Sequence, residues 1–158
     1  MSDNKVVIER TFDAAIQSVW DMWAVSENFQ KWYGPEGASI PVAKMDVTVG
    51  GSRHICMEMN TPNGPMKMWF VGEYLKVDPV TLLSYTEVMS NEAGDMLAPS
   101  AMGMPGGDEP MITTITVALE DLGNDRTKMT LTHAGIPADS PGAVGWQMAI
   151  DKLATLFT

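Results

Sequence analysis

Apolar and polar positions change their period along this chain, and each change marks a change of element. Residues 5–12, KVVIERTF, alternate and are rich in β-branched side chains, the pattern of a strand with one buried face. Asp13 follows as a candidate helix N-cap. Ile16, Val19, Trp20 and Trp23 then fall three and four apart, so a helix here carries one apolar stripe, with Trp20 and Trp23 as core. Ser26 is placed to cap a second short helix carrying Phe29, Trp32 and Tyr33, which Gly34-Pro35 stops. From residue 38 the period drops to two. Segments 38–48, 52–60, 65–77, 81–89, 111–120 and 126–134 read as strands; Gly50-Gly51, Thr61-Pro62-Asn63-Gly64, Asp78-Pro79 and Leu122-Gly123-Asn124-Asp125 supply turns. Short connections between consecutive strands produce an antiparallel meander. At the end, Ser140 is a candidate N-cap and Pro141 sits at the first helical position, where its missing N–H costs nothing. Trp146, Ile150, Leu153 and Phe157 then share a face, flanked by Ala149 and Leu156, and the concave face of the sheet is the natural partner for that stripe. Met148 falls on the opposite face, where this pattern gives it no role.

One segment has no period. Residues 91–110, NEAGDMLAPSAMGMPGGDEP, hold three Pro and four Gly. Loops beyond about 12–15 residues are uncommon and are often lids or disordered. This one carries Met96, Leu97, Met102 and Met104, apolar groups that a purely solvated loop does not need.

Composition narrows the classes. A length of 158 residues, with 45% apolar and 19% charged positions, fits one domain, 1–158, that buries its own core. Twenty acidic residues against ten basic ones, a formal charge of −10, argue against nucleic acid and against anionic membrane surfaces. A lone cysteine, Cys56, forms no intrachain disulfide and suits a reducing compartment. The first residues lack the apolar run of a signal peptide, and no stretch approaches the roughly 20 apolar residues of a membrane span, so a cytoplasmic location is expected.

Strand parity sorts the candidate chemistry. In 52–60, His54, Cys56 and Glu58 share one face and Arg53, Ile55, Met57 and Met59 the other. In 65–77, Met66, Met68, Phe70 and Tyr74 oppose Lys67, Trp69, Val71 and Glu73. Both strands have an apolar set on one face, and parity alone does not say which face meets the helix. In 126–134, Met129, Leu131 and His133 point inward. The row His54, Cys56, Glu58 contains metal-ligating types about 6.5 Å apart. A tetrahedral site needs convergent ligands, usually from two elements, and the chain's other histidine is His133, so no metal is expected. A general acid–base pair of His133 with Glu58, Glu73, Glu87 or Tyr85 is one reading; the other leaves Glu73 and Glu87 in solvent and His133 bonded to a neighbour. No Gly-rich phosphate loop, nucleophile elbow or paired-carboxylate motif is present, and neither catalysis nor a cofactor is indicated.

The order of these segments resembles the SRPBCC superfamily of birch-pollen-allergen-like and START lipid-binding domains, within it the branch named for homologues of the heat-shock-protein ATPase activator. The resemblance is carried by VVIERTFDA, VWDMW, FQKWYGP, GGSRHICMEM with PNGPM, MWFVGEYLKVDP, AMGMP and PGAVGWQMAIDKLATLF. It implies an α+β helix-grip fold, a curved antiparallel sheet of six to seven strands wrapped on a long C-terminal helix, with two short helices after the first strand. It also implies a cavity between sheet and helix for an apolar or amphipathic small molecule. The alternatives are a cyclase- or aromatase-type enzyme and a co-chaperone-like, weakly protein-binding domain. Parity and helix phase nominate Trp32, Tyr33, Cys56, Met68, Phe70 and Tyr85 for that cavity, with Met129, Leu131, His133, Trp146 and Ile150. Met102 and Met104 are expected to close over its mouth beside Trp32 and Trp146. Methionine, at 14 residues, suits a wall that accepts more than one shape, or else fills an irregular core.

Overall fold

The computed structural model describes residues 5–102, 107–136, 138 and 141–157. Strand β1 (Lys5–Phe12) leads through helices α1 (Ile16–Ala24) and α2 (Ser26–Phe29) into a run of strands. These are β2 (Ala38–Met45), β3 (Ser52–Thr61), β4 (Gly64–Asp78) and β5 (Leu82–Ser90), then β6 (Thr113–Gly123) and β7 (Arg126–Ala134). Helix α3 (Pro141–Thr155) closes the chain. The sheet has the order β1-β7-β6-β5-β4-β3-β2 and every pairing is antiparallel. The meander read from the turns is therefore present from β2 to β7, and β1 adds to β7. The sheet curls around α3 in the expected helix-grip arrangement.

Local chemistry explains the ends of elements, with some departures from the pattern. The α1 N-cap is Ala15 rather than Asp13 and makes no side-chain cap bond; Asp13 instead meets Arg126 at 3.3 Å in an exposed ion pair. Ser26 is the first residue of α2, not its cap, which is Val25. Strand β2 stops at Met45, three residues early, because the backbone turns there: Thr48 N–H donates to the Asp46 carbonyl and Gly51 N–H to the Thr48 carbonyl. Ser140 lies outside the described residues. Leu156 falls beyond the end of α3 and is 40% exposed, whereas Phe157 packs edge-on against Phe12 with ring centres 5.5 Å apart.

The core lies between α3 and the inner sheet face. Trp146, Ala149, Ile150 and Leu153 of α3 are buried against Ile115, Val117, Met129 and Leu131 of β6 and β7 and against Val6 and Ile8 of β1. Each fully buried side chain of this size stabilises by about 1.5–3 kcal/mol. Trp20 and Trp23 are in this core, as their spacing in α1 suggested. On the outer face a smaller group forms around Cys56 and Val88, both buried yet separate from the core beneath α3. The chain after β5 doubles back here: Ser90 pairs with Met96, and Leu97 N–H donates to the Met89 carbonyl at 2.8 Å. Gly94 comes to rest near Val71 and His54.

Candidate functional site

Toward one end of α3 the core opens into a cavity of about 480 Å³. Strand register decides what lines it. The tight turn at Thr61–Gly64 pairs Met57 with Met68 and Ile55 with Phe70, and Phe70 pairs in turn with Met89. Met57, Met59, Met68, Phe70 and Met89 thereby share one wall. The opposite wall is α3, where Gly142, Gly145 and Ala149 keep the backbone close and Trp146 supplies the only large ring of that side. Tyr33, Gly34 and Pro35, after α2, form the rim. The Pro35 carbonyl accepts a bond from Lys152 Nζ at 3.2 Å, and Glu36 N–H points at Met148 Sδ at 3.5 Å, so both side chains tie the rim to α3. Met148 gains a role here that helix phase did not supply.

Two polar groups face this apolar space. The first is a chain through His133. Trp146 Nε1–H donates to His133 Nδ1 at 2.9 Å, so Nδ1 is the acceptor and the proton of the neutral ring sits on Nε2. Nε2 lies 2.8 Å from Thr113 Oγ1, whose own proton goes to the Glu87 carbonyl at 3.2 Å. Burial lowers the His133 pKa below the ordinary histidine value, with Glu87 opposing, so the neutral ring fits its partners. The second is a buried row across the sheet. Arg53 of β3 pairs with Gly72 of β4, and the β4–β5 register puts Glu87 on the far side of Gly72. A Cβ at Gly72 would run into the Thr86 carbonyl. Arg53 Nη1 stands 3.6 Å from Glu87 Oε2, an ion pair longer than a hydrogen bond, and the guanidinium lies 3.8 Å over the Tyr85 ring with Phe29 and Tyr74 around it. Tyr33 Oη donates to the same Glu87 oxygen at 2.9 Å. Burial, and then Glu87, raises the Tyr33 pKa, which keeps the phenol a donor.

The model of the family "Activator of Hsp90 ATPase homolog 1-like protein" matches residues 13–158. The chain belongs to this family. No curated protein matches it. A solved structure from Chromobacterium violaceum is 24% identical, with a TM-score of 0.77 over 98% of this chain and 96% of that one. One from Staphylococcus epidermidis is 25% identical, with a TM-score of 0.75 over 99% and 91%. A protein of Silicibacter pomeroyi described as AHSA1 is 18% identical, with a TM-score of 0.71 over 96% of each chain. These likenesses carry the fold, and they agree with the SRPBCC resemblance.

Within this activator-homologue fold, the nominated residues separate into groups. Tyr33, Met68, Phe70, His133 and Trp146 line the cavity. Met129, Leu131 and Ile150 are fully buried in the core, deeper than the cavity wall. Trp32 is also core: it packs against Trp23 and Phe29, and its indole N–H donates to the Met22 carbonyl at 2.8 Å. Tyr85 is buried beneath the Arg53 guanidinium. Cys56 is on the outer face, because the residues on either side of it, Ile55 and Met57, point inward. Its thiol pKa is raised by burial. Met104 lies outside the described residues, and of Met102 only the backbone is described, at the end of the 3-10 turn Pro99–Met102. The described part of 91–110 adds no residue to the cavity wall, and residues 91–97 return over the outer face.

Of the acid–base candidates, Glu73 is exposed, whereas Glu87 points inward with its side chain 13% exposed, against the reading that placed it in solvent. Sequence reasoning left Arg53 and Tyr74 unassigned and omitted Met57, Met59, Met89, Ile136 and Pro35. The turn at Thr61–Gly64 held the missing signal for β3. A tight hairpin puts Met57 opposite Met68, so Cys56 cannot share a face with Met68 and Phe70. Among the described residues no cluster of three or more His, Cys, Asp or Glu is arranged to hold a metal, and no helix is long and apolar enough to cross a membrane.

Proposed function

We propose that this domain binds an apolar or amphipathic small molecule in the cavity between the sheet and α3. The observation that carries the reading is the cavity itself, about 480 Å³ walled by four methionines, Phe70, Ile136 and Trp146. That volume falls in the range of small-molecule sites, roughly 300–1,000 Å³, and such sites combine apolar walls with a few placed polar groups. Flexible thioethers let the wall adapt to a ligand's shape. Binding without catalysis is favoured over acid–base chemistry at His133, because both ring nitrogens already have partners and neither is free to exchange a proton with a ligand.

The test is saturable binding of a neutral apolar dye, N-phenyl-1-naphthylamine, followed by quenching of Trp146. Gly145→Leu is the blocking variant. A Cβ at Gly145 meets only Pro35 Cβ, at 4.0 Å, so the added side chain grows into the cavity without striking backbone. One-site binding to the parent and none to a folded Gly145→Leu protein is expected. Equal binding to both would place the dye elsewhere and overturn the proposal.

A further inference from the structure

Among the described side chains on the cavity wall, Glu87 is the acidic one and keeps several acceptor positions open. His133 has both nitrogens engaged, with Trp146 and with Thr113. Tyr33 has given its only proton to Glu87 Oε2, and its oxygen is left as a neutral acceptor, weaker than a carboxylate. Glu87 accepts that one bond, its nearest cation is too far for a hydrogen bond, and a carboxylate has about four acceptor positions. The group is held rigidly as well. Tyr33 stacks on Phe29 with ring centres 4.2 Å apart, and Arg53 is clamped over Tyr85 behind the wall.

We infer that the ligand is a neutral, largely apolar molecule carrying one hydroxyl or N–H donor, and that Glu87 selects it by accepting that hydrogen bond. This rests on the cavity being a ligand site. The sign of the charge follows from Arg53, whose side chain is 1% exposed and already balances Glu87. An ammonium would bring a second cation into an apolar space with one carboxylate, and a carboxylate ligand would face Glu87 while the unpaired donors nearby, Arg53 Nε and Nη1 and Tyr85 Oη, belong to residues outside the cavity wall. A neutral donor completes the arrangement without adding a buried charge. A site built around such a bond rejects the analogue that lacks it far more strongly than a purely apolar pocket does.

Four probes of one shape separate these possibilities: 2-naphthol, naphthalene, 2-naphthoate and protonated 2-naphthylmethylamine, titrated at pH 7 against Trp fluorescence. The expected order puts 2-naphthol about tenfold tighter than naphthalene, as for a bond to a charged acceptor, with both ions weaker than naphthalene. Glu87→Gln should bring 2-naphthol and naphthalene to within about twofold of each other. Equal affinities for 2-naphthol and naphthalene in the parent would overturn the donor inference while leaving the cavity reading intact, and so would tightest binding of either ion. Failure of all four probes would instead remove the cavity reading. The parent series decides the question even where Glu87→Gln does not fold.

Discussion

Replacing Trp146 by Phe tests whether α3 is anchored through His133. The ring stays, but the indole N–H that reaches His133 Nδ1 at 2.9 Å is removed. His133 is 7% exposed, so Nδ1 is left as a buried acceptor without a donor, which costs about 1–3 kcal/mol. The smaller ring also gives up contacts with Trp23, 6.0 Å away between ring centres, and with Tyr33 at 5.5 Å. Full truncation of a buried Trp costs about 3–5 kcal/mol, so the partial loss here brings the total to about 2–4 kcal/mol. For a chain of this length that lowers Tm by roughly 5–15 °C. The same substitution changes the pH dependence. Burial depresses the folded-state pKa of His133, so the folded protein binds fewer protons than the unfolded chain. Stability from the neutral ring is therefore complete above the unfolded value near 6.5 and is lost as the pH falls toward the lower folded pKa. In Trp146→Phe no indole N–H faces Nδ1, so protonation is opposed less and the acid loss is shallower. Thermal and guanidinium unfolding followed by far-UV circular dichroism at pH 8 and pH 5 read both effects. The cost of the substitution should be largest at pH 8 and smaller at pH 5. A Tm within a degree or two of the parent, or a cost that does not change with pH, refutes the anchoring role.

Leu153→Ala removes a fully buried side chain between helix and sheet and should cost about 2–5 kcal/mol by thermal or chemical unfolding; a shift of a degree or two would mean α3 is not docked on the sheet as described. Arg53→Met leaves Glu87 without its cation, whereas Arg53→Met with Glu87→Gln removes both charges, so a double-mutant cycle should show the double variant less destabilised than the sum of the singles by at least about 1 kcal/mol. Additive costs would show that the 3.6 Å pair contributes nothing. Cys56 is fully buried, with a thiol pKa raised by burial, so maleimide labelling should be slow in the native protein and fast in denaturant. Labelling at the rate of a free thiol would mean that this outer-face cluster is open in solution.

The alternation of residues along each segment, the turn residues between them and the apolar stripe near the C-terminus determined the meander, the helix that closes it and the family. These are local properties: a period of two or 3.6 shows which side chains share a face wherever the segment sits. Local order did not say which face of β3 turns inward. That depended on the hairpin at Thr61–Gly64, whose register puts Met57 and Ile55 with Met68 and Phe70 and sends Cys56 outward. The direction of Glu87 was not legible for a related reason. Strand β5 is central and covered on both faces, with Leu83 and Tyr85 buried inside and Ser84 and Val88 buried outside, so it lacks the contrast that marks an inner face. Only the tertiary structure brings Arg53, Gly72 and Glu87 into one row. They come from three strands and lie 15 or more residues apart in sequence, and only pairing in register makes them neighbours. The same holds for Trp146 and His133, one on a helix and one on a strand, which meet because the sheet curls until α3 lies across it.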